Sequence, residues 1–333
     1  MHFLTSHIMA LALFAVGCGA QTPGDVVSRV DAGTPPAVDD AGEANPGQHV
    51  VTACPRQKSA TPLLVKQHGL HPIITRGAQT ADELITAVST ALGSSYRIVG
   101  LSRCGVVRNI TPVRASSPGM TLALQGDTVF IGDTLGVSAV PVTGGVPQVI
   151  APKAGILAAD EAYVYVSNHD GVTRAPRNGG PSEVISSQGG HDIVVDDTSV
   201  YVRDATFRLL RITKSDVTQV TVLAGPPSAP RYWDIGWLAQ DPTRVFFVQD
   251  ERVCSVAKSG GTAVCTAPFF GGAGPLVWNG ALYFPAAGGL DRTADIATGW
   301  TPLTAKASGV NLWVDDESVW WLSGQGDLHR IDK

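Results

Sequence analysis

Charge is scarce in this 333-residue chain: Asp, Glu, Lys and Arg make up 16% of it, against roughly a quarter in ordinary soluble domains. Surface polarity must therefore come from Ser, Thr, Asn, Gln and backbone groups. With a net charge of −5 and no Lys/Arg cluster interleaved with aromatics, the chain has no field to attract phosphates, which excludes nucleic acid as a partner. Catalytic signatures are missing too. There is no G-x-S-x-G, H-E-x-x-H, G-x-x-x-x-G-K or C-x-x-C, so no catalytic residue is nominated. Long apolar runs are also lacking. The N-terminal run IMALALFAV at 8–16 is of signal-peptide length, well short of the about 20 residues that cross a bilayer.

That run leads into Ala15-Val16-Gly17-Cys18, which resembles the bacterial lipobox, in which a Cys after small residues is diacylated and becomes the mature N-terminus. The resemblance implies lipidation of Cys18 and a bacterial cell-envelope address, with the membrane reached through the lipid alone. Ala15 stands where the family prefers Leu, and the preceding region has His2 and His7 but no Lys or Arg. Ordinary signal-peptidase cleavage near Cys18-Gly19-Ala20 is the alternative, giving a secreted or periplasmic protein. The five cysteines favour the lipid, because an odd count leaves four to pair once Cys18 is acylated. Cys254 and Cys265 lie symmetrically about Ser259-Gly260, so a two-residue hairpin turn would set them opposite each other at about 5.5 Å between Cα atoms. Cys54 and Cys104 then pair by count alone.

Residues 1–17 accordingly read as a signal peptide and 18–49 as a disordered tether rich in Pro, Ala, Gly and Asp, with too few large apolar residues to offset the entropy of ordering it. Residues 50–104 read as an N-terminal segment packed on the rest of the fold. Within it Thr80-Ala81-Asp82-Glu83 matches a capping box ahead of Leu84, Ile85, Val88, Ala91 and Leu92, with Gly93 as the stop. That pattern predicts one short amphipathic helix.

The 37 Gly and 22 Pro are spread along the chain, which suits many short strands and turns. The organising stretch is 161–185, EAYVYVSNHDGVTRAPRNGGPSEVI: a polar turn, an alternating strand, a second strand, a Gly-Gly turn and a third strand, preceded by the apolar run at 155–159. Its aromatic recurs at Phe130, Tyr165, Tyr201, Phe246, Phe284 and Trp320, at spacings of 35, 36, 45, 38 and 36 residues. A polar turn precedes each, as at Asp160-Glu161, Asp196-Asp197 and Asp315-Asp316. These acids read as turn formers, since single pairs on separate turns do not supply the converging oxygens calcium needs. Four strands at this period make a propeller blade. The sixth unit ends at its third strand, Leu328-His329-Arg330-Ile331, and 110–115 resembles the fourth strand at 300–305. The expectation is therefore an all-β, six-bladed propeller over 105–333, closed by that N-terminal strand. Seven blades, with Tyr96 to Ala115 in an extra one, are the alternative.

Aspartate turn, Val-Tyr strand, Gly-Val-x-Arg-x-Pro strand and Gly-Gly-x-Pro turn together resemble the six-bladed TolB-like propellers, including the Val-Tyr-Trp-Thr-Asn repeats of myxobacterial surface lipoproteins. The resemblance covers about 105–333. It implies the fold, on which binding proteins, scaffolds and enzymes all occur. The leading expectation is a surface-anchored, non-enzymatic binding or scaffold role for an unknown protein, glycan or small molecule, with the chain a monomer. Propeller ligands sit at the mouth of the axial channel, near the start of each innermost strand. There the polar or aromatic departures are His191, Asp192, Tyr232, Trp233, Asp234 and Asn311. Similarity to lactonase-type propellers implies that His191, Asp192, Asp234 and Asn311 could hold a divalent cation for a metal-dependent hydrolase, the alternative function. That family also places a metal-binding Glu in its first blade, and no Glu lies between Glu83 and Glu161. No metal or other cofactor is therefore assigned. The loop at 225–233, in the longest interval, is expected to border the binding face.

Overall fold

The computed structural model describes residues 63–67, 71–72, 78–80, 83–91, 95–115, 120–228, 237–266, 277–286, 289–304, 309–323 and 327–333. They form seven antiparallel sheets. Blades 2 to 6 span 121–151, 156–186, 190–224, 239–265 and 277–304, each a four-stranded meander in sequence order. Blade 7 combines 309–332 with Leu63–Gln67. Blade 1 comprises 71–115. Its innermost position is divided between His71–Pro72 and Ala78–Gln79, and its outermost between Val107–Asn109 and Arg114–Ala115.

Every blade is sandwiched between two others, so its second strand is buried on both faces and reads as a continuous apolar run. In Ser199–Asp204 all six residues are buried. Val200 and Val202 face blade 3 with Tyr165 and Val172, while Tyr201 faces blade 5 with Phe247 and Val256. Alternation along a strand thus assigns successive side chains to opposite seams. Among the described residues one apolar cluster fills each of the seven seams, including that between blade 7 and blade 1, where Trp313, Trp320 and Leu328 meet Leu84 and Leu101. The ring is closed.

Two expectations are corrected on the N-terminal side. Residues 83–91 are a strand, not a helix. Leu84 to Val88 are all buried, with Leu84 in the seam to blade 7 and Ile85 and Ala87 in the seam to blade 2, a two-faced burial that an amphipathic helix cannot provide. The capping residues make a turn instead: Thr80 N donates to Glu83 O at 2.9 Å and Glu83 N to Thr80 Oγ1 at 3.0 Å. Glu83 is drawn across the sheet to Arg108 at 2.5 Å, passing over Gly100, where a Cβ would lie 2.6 Å from its carboxylate. The second correction concerns closure. Residues 110–115 do end in an outermost strand, but Arg114–Ala115 pairs with Ser95–Tyr96 of blade 1 itself. The sixth repeat unit, now blade 7, is completed by Leu63–Gln67, in register with Asp327 to Arg330.

A polar device repeats at one end of the ring, where first strands turn into second. In blades 3, 4 and 7 the aspartate there accepts backbone N–H groups of its own turn, Asp160 from Ala162 and Tyr163, Asp196 from Thr198 and Ser199, and Asp315 from Glu317 and Ser318. Its other oxygen accepts from the aromatic five residues on: Tyr165 OH at 2.8 Å, Tyr201 OH at 3.0 Å and Trp320 Nε1 at 2.9 Å. A cation just past the third strand of the following blade completes the latch. Lys214 reaches Asp160 at 2.5 Å and Lys258 reaches Asp196 at 2.8 Å; Arg103 of blade 1 reaches Asp315 of blade 7 at 3.2 Å, across the closure. Arg177 and Lys333 lie over Phe130 and Tyr283 in the same manner.

Cys254 and Cys265 are disulfide-bonded and directly opposed in blade 5. Their Cα atoms are 4.0 Å apart, nearer than the about 5.5 Å expected, because they occupy a non-hydrogen-bonded site of the ladder. Cys104 is disulfide-bonded as well; Cys54 and Cys18 lie outside the described residues.

Candidate recognition surface

In an antiparallel meander alternate turns fall at opposite ends. The latch end holds the turns between first and second and between third and fourth strands. The opposite end holds the turns between second and third strands, the connections between blades and the starts of the innermost strands. Regularity breaks down at this second end, and it does so on blades 4 and 5. All four non-glycine residues with positive φ among the described residues lie there: Phe207 at 63°, Trp237 at 65°, Asp250 at 50° and Glu251 at 59°. Asp250-Glu251 suit the hairpin they turn. An aromatic side chain in the left-handed region, as at Phe207, costs roughly 1–3 kcal/mol and persists only when its surroundings over-determine it.

Asp204 supplies that determination. Its Oδ1 accepts from Thr206 N, Thr206 Oγ1 and Arg208 N at 2.9, 2.8 and 2.9 Å. Its Oδ2 takes the Arg208 guanidinium at 2.6 Å, and its carbonyl accepts Phe207 N at 2.9 Å. Burial alone would raise the Asp204 carboxyl; the bonds from Arg208 and Thr206 outweigh it and hold the group ionised below the usual carboxylate range. Phe207, so fixed, lies against His191, their ring centroids 4.5 Å apart and planes 17° from parallel. His169 of blade 3 stands edge-on to His191 at 5.7 Å and 84°. Burial, and then the neighbouring His169, lower the His191 pKa, so the imidazole stays neutral at neutral pH.

Of the six residues singled out from the sequence, His191 is half-buried in this stack. Asp192 is 2% exposed. Its carboxylate accepts Ile193 N at 2.7 Å and also Leu238 N, so it pegs blade 4 to blade 5 instead of facing a ligand. Asn311 occupies the same ladder position of blade 7, one step after a register shift, paired with Leu322. Tyr232, Trp233 and Asp234 lie outside the described residues. Among the described residues no group of three or more His, Cys, Asp or Glu could hold a metal ion.

Two features were not nominated from the sequence. Arg203 sits at 0% exposure opposite Asp192 in the ladder, its guanidinium 5.2 Å from the Phe247 ring of blade 5 and within 3.5 Å of Gln249 Oε1 and Val248 O. A polar residue at an apolar alternation position was the available signal. The second is a crevice of about 240 Å³ between blades 4 and 5, lined by Leu223, Phe247, Gln249, Ala263 and the Cys254–Cys265 bridge. At its loop end Ser228 donates N and Oγ to Asp250 Oδ1, both at 3.1 Å. The beginning of the 225–233 loop is thereby anchored on blade 5.

No family model matches the chain, and no curated protein matches it. Solved structures do. The chain is similar to PorZ, an essential bacterial surface component of the type-IX secretion system of Porphyromonas gingivalis. That match has a TM-score of 0.58 and 13% identity, covering 78% of this chain and 36% of that one. It is similar to BamB from Moraxella catarrhalis at a TM-score of 0.50 and 14% identity, covering 78% and 82%. The N-terminal domain of Nup159 gives 0.52 and 10%, covering 83% and 96%. The chain thus spans about a third of PorZ. Likeness at this identity extends to architecture alone, and among the described residues no helix is long and apolar enough to cross a membrane. By fold, the chain is a seven-bladed β-propeller.

Proposed function

We propose that the chain is a non-enzymatic binding or scaffold propeller of the bacterial cell envelope, anchored through lipid on Cys18, which takes its partner at the end of the ring where the innermost strands begin. One observation carries the reading: the two ends differ in kind. The latch end spends its acids, aromatics and cations on bonds between blades. The opposite end, on blades 3 to 5, collects the positive-φ residues, the His169–His191–Phe207 stack and the longest connection. Backbone strain is retained where structure serves recognition, and binding residues concentrate on loops held by a rigid scaffold. About a third of PorZ, a bacterial surface component, has a similar architecture, which is a precedent for the location.

Two experiments test it. Fractionation of a bacterial host expressing the full chain should place wild type with the membranes and Cys18→Ala in the soluble or secreted fraction; a soluble wild type would overturn the anchor. A photo-crosslinking amino acid at Thr206, exposed at the loop end, should yield adducts in intact cells, whereas one at Ala162, exposed at the latch end, should not. Adducts from 162 alone would reverse the assignment.

A further inference from the structure

We infer that the corner formed by His169, His191 and Phe207 is a stacking subsite for the ring of an uncharged saccharide. The inference rests on the reading that this end of the ring is the recognition end, and it names the class of ligand. Three observations lead to it. The first is shape: Phe207 and His191 are stacked face to face, 17° from parallel, so the stack presents one flat outer ring face as a floor, and His169, exposed and edge-on to His191 at 84°, makes a wall. A pyranose has one such flat face, lined with C–H bonds whose positive ends suit the negative face of an aromatic ring.

The second is charge. The ionised groups around the corner are already paired, Asp170 with Lys153 at 3.6 Å and Asp204 with Arg208 at 2.6 Å. With a neutral His191 the stacked floor itself carries no charge to draw a phosphate or an ammonium group. It does offer hydroxyl-binding groups on its border, in the imidazole nitrogens of the two histidines and in Thr206, exposed beside Phe207. The third observation is strain. Phe207 is half-buried and belongs to neither apolar cluster that flanks blade 4, yet the Asp204 turn holds it at φ 63°. A residue that packs no core, kept in a conformation unfavourable to it, is retained for the surface it presents.

Saturation-transfer NMR on the full chain with methyl glucoside, methyl galactoside and N-acetylglucosamine as probes tests this, with N-acetylphenylalanine amide and choline as the rival aromatic and cationic chemistries. At least one pyranoside should receive saturation on the C–H protons of one face. Phe207→Asn places a residue tolerant of positive φ at the turn, so it should leave Tm unchanged or raised while weakening that pyranoside about tenfold, the loss of one stacking contact. Binding of the aromatic or cationic probe alone, binding of no probe, or a Phe207→Asn protein that binds the sugar undiminished would overturn the inference. Crosslinks at Thr206 to a protein, without sugar binding, would sink the saccharide and spare the recognition end; no adduct and no sugar binding would sink both.

Discussion

At the scale of single residues, the latch between Asp196, Tyr201 and Lys258 has a measurable consequence in acid. Burial alone would raise the Asp196 carboxyl. The Lys258 ammonium and the N–H groups of Thr198 and Ser199 outweigh it and bring the pKa to about 2 from 3.8. Tyr201, buried and donating to the same carboxylate, is pushed up to about 12. Because the folded-state value for Asp196 is depressed, its stabilisation is complete above pH 3.8 and is lost as pH falls from there through about 2. The linkage is on the order of 2 kcal/mol. Urea unfolding of Lys258→Met at pH 7 should show a loss of about 1–3 kcal/mol, from a half-buried carboxylate left without its cation. Its pH dependence between 4 and 2 should be shallower than that of wild type. Equal slopes for the two proteins would mean that Asp196 is not held down by Lys258.

At the scale of elements, the ring depends on Leu63–Gln67 to cover the third strand of blade 7. A chain starting at residue 68 should expose the edge of Asp327–Asp332 and associate in a concentration-dependent way, seen by light scattering; a truncated chain that stays monomeric and melts like the full one would contradict this. The two-residue outermost strand of blade 5, Val264–Cys265, leans on its disulfide instead of a long ladder. Replacing both Cys254 and Cys265 by Ser should cost up to about 3 kcal/mol by loop-closure entropy and speed amide exchange at Val264 to Thr266. Unchanged exchange there would show that the ladder alone holds the strand. Blades 2 to 7 were legible in the sequence because an aromatic, preceded by Val in five of the six and by Tyr283 in blade 6, marks each second strand. Blade 1 has no aromatic in its second strand, Glu83–Ala91, and Thr80 and Glu83 mimic a helix cap while making a turn. Its buried run Leu84 to Val88 satisfies a helical period as readily as a strand one, and only the packing against blades 7 and 2 decides.

At the scale of the whole molecule, the proposed function divides labour between the two ends of the ring, cohesion at one and recognition at the other. His191 could be picked out from the sequence because a His among apolar strand starts departs from the repeat. Phe207 could not: it lies in the turn Thr206-Phe207-Arg208, without the Gly or Asn that announces positive φ, and its stacking partner comes from another strand. Asp192 misled for a related reason, since an aspartate at a channel mouth and one bonded to the next blade's Leu238 N–H look the same in one dimension. The division predicts opposite signatures for variants at the two ends. Lys214→Met removes the partner of Asp160 at the latch end, and the paired change His191→Ala with Phe207→Asn removes the stack. The direct test is to measure Tm and the yield of Thr206 crosslinks for both proteins against wild type. Lys214→Met should melt lower with crosslink yield unchanged, and the stack variant should lose its crosslinks with Tm nearly unchanged. A Lys214→Met protein that loses its crosslinks while still folded, or a stack variant that keeps them, would contradict the account.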